Sequence, residues 1–494
     1  MTIKELKPEV VWKNFYELTR IPRPSKREEK VIKYLYEYGQ KLGLETIKDE
    51  VGNIIIRKPA TPGMENRKGV ILQGHMDMVP QKNASSNHDF DNDPIETWID
   101  GDWVRAKETT LGADNGIGVA MGLAVLESKD LKHGPVEVLV TVDEETGLTG
   151  AAALKGGLLN GDILLNLDSE DEGEFCIGCA GGLDMTASAE YVPADKPEGY
   201  ECWSLALKGL QGGHSGTDII LYRGNSNVLG ARIVYALMTE AGVKLLDFEG
   251  GNLRNAIPRE SFATLYVPAD GVEKAREVFE RVAGEIKSEY ADTDPDANFT
   301  FEPYKAAEGE CCCGDECKYV PDADALRFIR AVLACPTGVE RMSPTVPGLC
   351  ETSNNLAMVK IEGGRFAASS LMRSSIDTAK EALAKRIESV FSLAGISVEF
   401  TGGYSGWAPR SGSEIVGVVT SVYKEMYGKD PKVLAIHAGL ECGILAGTYP
   451  HWDMVSFGPT LVAPHSPDER VSIRSVASTW DFLKKVLENI PEKI

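Results

Sequence analysis

VEVLVTVDEETG, residues 136–147, is the stretch whose reading decides the fold. Residues 136–142 form an apolar, β-branched run that reads as a buried strand. Asp143, Glu144 and Glu145 follow it directly, where such a strand meets open space. Three carboxylates crowded there are costly unless a cation or a proton compensates them. Working outward, comparable short runs occupy residues 53–56, 69–72 and 163–167, and helical stretches at 115–126 and 148–155 separate several of them. A further helix is expected from Ser25, with Glu28 in capping-box position. Strands alternating with helices indicate an α/β fold with a mixed, largely parallel sheet and helices on both faces.

From about residue 200 the texture changes. Strands are expected at 204–207, 243–246 and 262–267, with helices at 226–240 and 272–290; a similar succession recurs over 323–400. This reads as an inserted α+β domain, residues 197–402, built as two related halves without a residue-level repeat. The α/β pattern returns afterwards, so residues 1–196 and 403–494 form one discontinuous catalytic domain. Such an insertion leaves a cleft where ligands commonly sit.

The chain has 494 residues, 43% hydrophobic and 26% charged, which is room for two or three globular domains. A formal net charge of −22 argues against nucleic acid or an anionic membrane as partner, since both would be repelled. The first twenty residues carry charge throughout and lack a signal-peptide h-region, and no run of about 18 apolar residues could span a bilayer. A cytoplasmic location is expected. The ten cysteines, with a cluster at Cys311, Cys312, Cys313 and Cys317, do not read as a disulfide framework in such a chain. Reduced thiols in a loop are the expectation for the cluster.

Chemistry concentrates in five places. GVILQGHMDMV, residues 69–79, runs a buried strand into His75 and Asp77; side chains two apart on a strand point the same way. His75 could bind a metal while Asp77 fixes its tautomer, or the pair could simply close a turn. In LGADNG, residues 111–116, Asp114 stands at a helix start, where the macrodipole alone would favour it. Glu144 and Glu145 tip one strand and Asp168 another, and the carboxyl ends of parallel strands are where α/β sheets place their sites. His465 lies in the Pro-stiffened APHSPDE, residues 463–469. Mixed imidazole and carboxylate donors suit zinc, with cobalt or manganese as substitutes.

Taken in order, GHMDMV (74–79), GADNG (112–116), DEETG (143–147), LDSED (167–171), GGHSG (212–216), NAIP (255–258), HAGLECG (437–443) and APHSPDE (463–469) resemble the M20 family of co-catalytic metallopeptidases, and within it the aminoacyl-histidine dipeptidase or bacterial carnosinase type. The resemblance covers nearly the whole chain. It implies two divalent metal ions, with Asp114 bridging them, His75 and Asp168 completing one ligand set, and Glu145 and His465 the other. It further implies Glu144 as general base, Asp77 as orienting residue, and His214, Asn255, Arg373 and Gly439 at the substrate, with His214 polarising the scissile carbonyl. The implied activity is hydrolysis of short peptides such as Xaa-His dipeptides, by a protein that leans towards a homodimer paired through the inserted domain. A tripeptidase, an N-acyl amino acid deacylase and a non-catalytic peptide-binding relative stay open as alternatives.

Overall fold

The computed structural model describes residues 2–305 and 318–493, and the chain divides into two compact units. The first comprises residues 1–179, 406–435 and 440–494. Its eight-stranded sheet runs in the order Glu45–Lys48, Ile54–Lys58, Val136–Thr141, Val70–His75, Ile163–Asn166, Asp453–Ser456, Glu174–Cys179 and Lys432–Ile436. The four central strands are mutually parallel, and antiparallel strands flank them.

Both faces of the central strands are buried, which is why their sequences are continuous apolar runs rather than alternations. Val70, Leu72, Val138, Val140 and Leu165 pack into one core with the helices Glu9–Thr19, Ala113–Glu127 and Ile473–Glu488. Ile71, Leu139 and Leu164, pointing the other way, are equally buried. Burying each such side chain fully contributes roughly 1.5–3 kcal/mol. The parallel strands also share one carboxyl end, where His75, Thr141 and Asn166 are the last paired residues.

The second unit, residues 180–405 with 436–439, is a nine-stranded antiparallel sheet with four long helices. Tyr200–Lys208, Ser226–Ala241, Lys244–Gly250, Ser261–Pro268, Val272–Glu289 and Asn298–Pro303 run strand, helix, strand, strand, helix, strand. Gly181–Glu190, Asp322–Ala334, Cys350–Glu362, Arg365–Ser374, Asp377–Leu393 and Ser397–Tyr404 repeat that order. The halves join edge to edge where Phe248 pairs with Ile361.

Some local readings need correction. The chain enters the second unit at residue 180 rather than near 197, because Gly181–Glu190 pairs along its length with Arg365–Ser374. Likewise, residues 436–439 belong to the second unit although their flanks belong to the first. No capping box forms at Ser25: the helix spans Glu29–Lys41, and the Ser25 hydroxyl donates instead to Asp77 Oδ2 at 2.8 Å. Cys202 is disulfide-bonded, while Cys179, Cys335, Cys350 and Cys442 are buried thiols and Cys176 is buried as well. The cluster from Cys311 to Cys317 lies outside the described residues.

Candidate metal centre

His75 ends its strand fully buried, and its two ring nitrogens face different groups. Nδ1 lies 3.3 Å from Asp77 Oδ1; Nε2 lies 3.1 Å from Asp114 Oδ1 and 3.4 Å from Asp168 Oδ1. His465 Nε2 lies 3.1 Å from Asp114 Oδ2 and 2.9 Å from Glu145 Oε2. Each oxygen of Asp114 therefore meets a different imidazole, each accompanied by a further carboxylate.

Asp114 reaches this position through an irregular backbone. The helix Ala113–Glu127 carries non-helical dihedrals at Asp114 and Asn115, joined by a cis peptide bond. Asn115 Nδ2 donates to the Leu167 carbonyl at 2.7 Å, tying this segment to the strand end that precedes Asp168. Asp77 accepts the Glu144 N–H at 3.0 Å on one oxygen and the Glu145 N–H at 3.3 Å on the other. The same carboxylate thus faces His75 and fixes the turn that carries Glu144 and Glu145. Asp143 takes no part in the cluster: its oxygens accept from the hydroxyls of Thr146 and Thr149, closing the turn itself.

The electrostatics match a crowded anionic site. Burial, with the Asp114 and Glu145 charges adding to it, pushes Asp168 up to about 7. Glu144 is raised well above the ordinary carboxylate range, first by burial. His465 is lifted to about 11 by its hydrogen bonds to Asp114 and Glu145. Burial would raise Asp114 too, yet its hydrogen bonds to His465 and His75 hold it low. Carboxylates that keep a proton on an imidazole this strongly present the field that binds a cation.

A metal fits these residues. His75, Asp114 and Glu145 each offer a ligand atom within 4.8 Å of the others, and Glu145 Oε1 and Asp168 Oδ1 are buried without a hydrogen-bond partner. Buried carboxylate oxygens left unpaired are rare unless something else satisfies them.

Several contributors carry no signal in the local sequence. Glu441 is buried and accepts from Gln73 Nε2 at 2.6 Å and from the Thr141 hydroxyl at 2.8 Å. Arg23 is buried and donates to the carbonyls of Met76, Asp77 and Gly112. Glu469 accepts four backbone N–H groups. Their partners lie 53 or more residues away in sequence, so no motif window contains both ends.

The remaining expected site residues lie in the second unit. His214 pairs with Ala256 in a short antiparallel ladder, and the adjoining Asn255 carbonyl accepts the Ser215 N–H at 2.8 Å. Arg373 Nη1 donates to the Tyr404 hydroxyl at 3.4 Å. Gly439 lies against the same ring; an added Cβ there would stand 3.0 Å from the Tyr404 oxygen. His437, which opens the HAGLECG motif but has no role assigned from the sequence, is 2.7 Å from the Ser353 hydroxyl through Nε2 and is held down to about 3 by burial and by Arg373.

A family model described as Peptidase family M20/M25/M40 matches residues 71–489. The chain is 43% identical over 491 residues to the cytosol non-specific dipeptidase of Escherichia coli (strain K12), covering 99% of each. It is similar to the crystal structure of aminoacylhistidine dipeptidase from Vibrio alginolyticus, at 46% identity and a TM-score of 0.95, covering 100% of this chain and 99% of that one. Aminopeptidase PepT from Bacillus cereus, at 17% identity and a TM-score of 0.55 over 98% and 99% of the two chains, shares the fold alone.

Proposed function

The chain belongs to peptidase family M20/M25/M40, and from that premise we propose that it is a metal-dependent dipeptidase that prefers Xaa-His dipeptides such as carnosine. The observation that carries this reading is Asp114 with one oxygen towards His75 and Asp168 and the other towards His465 and Glu145. His75 and Asp168 would hold one divalent ion, Glu145 and His465 a second, with Asp114 shared. The donor set suits zinc, with cobalt or manganese as substitutes. Such ions supply Lewis acidity that lowers the pKa of water and polarises the scissile carbonyl.

The side chains do the rest. Glu144, next to a ligand and held by the Asp77 contact to its N–H, takes the proton of the attacking water and delivers it to the leaving amine. Asp77 keeps the His75 ring in one orientation and tautomer, as carboxylates behind ligating imidazoles do. His214 donates to the carbonyl oxygen as charge develops there. Arg373 pairs with the substrate carboxylate, and Asn255 and Gly439 line its seat. The E. coli relative is named a cytosol non-specific dipeptidase, which favours a broader dipeptide range as second reading and suggests a cytosolic setting.

A substrate panel decides between them. Xaa-His dipeptides should turn over fastest, other dipeptides more slowly, and tripeptides and N-acyl amino acids negligibly. Equal rates on all dipeptides would establish the broader reading, and hydrolysis of acylated amino acids alone would overturn both. Chelation should abolish activity and added zinc or cobalt restore it; full activity of the metal-free protein would sink the proposal.

A further inference from the structure

Glu469 lies four residues after His465 and is 2% exposed. Its Oε2 accepts the N–H groups of Leu111 at 2.7 Å and Gly112 at 3.0 Å; its Oε1 accepts those of Ala113 at 2.7 Å and Asp114 at 3.3 Å. Four successive peptide groups thus converge on one carboxylate from the chain itself. Consecutive N–H groups turned inward in this way form an anion-binding nest. The turn requires a left-handed residue at Gly112, where φ is 68° and a Cβ would stand 2.6 Å from Arg23 Nη2.

Arg23 grips the same segment from its carbonyl side, donating to Gly112 O through Nη2 and to Met76 O and Asp77 O through Nη1. A buried cation and a buried anion therefore hold residues 111–114 between them. Together they tie three segments: the one carrying His75 and Asp77, the one carrying Asp114, and the loop carrying His465. His465 itself has a left-handed φ of 59°, uncommon outside glycine, so its loop needs an anchor.

We propose that Glu469 is a positioning residue that fixes Asp114 and His465 relative to each other, so that both present their donors to the second ion in one geometry. This rests on the reading of Asp114 and His465 as metal ligands. Helix capping alone would need one or two N–H groups satisfied at the start of Ala113–Glu127. Here the acceptor comes from the loop that also presents His465, and it engages the N–H of Asp114 itself.

Glu469→Gln is the diagnostic variant, because its amide NH2 would face two backbone N–H donors where an acceptor stood. Glu469→Asp keeps the charge on a shorter arm. Both, in the full chain, would be stripped of metal and titrated with Co2+, following the visible d–d bands and the stoichiometry, with circular dichroism and the unfolding midpoint measured alongside. Val119→Ala, a buried change outside the site, serves as a control for lost stability. Cobalt binding should weaken about 10–100-fold in Glu469→Gln, with altered bands and retained helicity, and less in Glu469→Asp. Val119→Ala should lower the midpoint while leaving cobalt affinity and spectrum unchanged.

Wild-type affinity and bands in both Glu469 variants would overturn the inference, provided Asp114→Asn loses cobalt in the same assay. Failure of both variants to fold would also overturn it, assigning Glu469 to fold maintenance alone. If Asp114→Asn keeps both ions at wild-type affinity, the ligand reading itself fails.

Discussion

The two clusters of candidate functional residues carry opposite fields. In the first unit Asp114, Glu144, Glu145 and Asp168 crowd together, so His465 keeps its proton up to about 11 and Asp168 rises to about 7. In the second unit burial and the Arg373 charge depress both His214 and His437, the latter to about 3. In the first environment crowded carboxylates raise the proton affinity of their neighbours; in the second burial and the Arg373 charge work against protonation of both imidazoles. The scaffolds differ accordingly. Parallel strands deliver several donors to one end, whereas Arg373 lies within an antiparallel strand pair, opposite Ser353.

The sharpest way to break this division of labour is Glu144→Ala. Turnover should fall by about 10²–10⁴-fold while the metal content stays at the wild-type level, as general-base loss predicts. Metal loss equal to that of Asp114→Ala would make Glu144 a ligand instead.

His214→Ala and Arg373→Ala probe the other side. The first should cost kcat about 10²–10³-fold, the magnitude of a lost oxyanion donor, with metal content unchanged. The second should act mainly on KM, and its effect should shrink on a dipeptide with an amidated C-terminus. An undiminished effect on the amide would remove Arg373 from carboxylate binding. Asp77→Asn should weaken metal affinity about 10–100-fold, because it disturbs the partner of His75 and the N–H acceptor of Glu144 and Glu145 together.

The smallest effect is on stability. Since folded His437 resists protonation until about pH 3, the unfolded chain takes up a proton near the ordinary histidine value of 6.5 that the folded one refuses. Stability should therefore fall as pH drops through that window, by a few kcal/mol at most. His437→Gln should flatten the slope relative to the parent, and an unchanged slope would show His437 to be freely protonated in the folded state.

How much of this was legible in the sequence follows from the range of each interaction. Residues 136–142 and 163–167 are short, apolar and followed at once by carboxylates, so one window contains strand, strand end and chemistry. The strand Cys350–Glu362 is buried along most of its length yet reads CETSNNLAMVKIE, because its polar groups find partners such as Asn354 on Pro336 O and Asn355 on Ala256 O. A buried strand satisfied in that way leaves no apolar run to detect. Glu469, Arg23 and Ser25 were invisible for a related reason, since each acts on residues 52 to 358 positions away. The passage into the second unit at residue 180 falls inside CIGCAGGLDM, which has no linker composition to announce it.

Metal analysis of the purified protein, wild type beside Asp114→Ala, tests the central claim most directly. The account predicts two divalent ions per wild-type chain and loss of both in the variant, since Asp114 serves both imidazole and carboxylate sets. Two ions retained in Asp114→Ala, or none in an active wild-type enzyme, would contradict it.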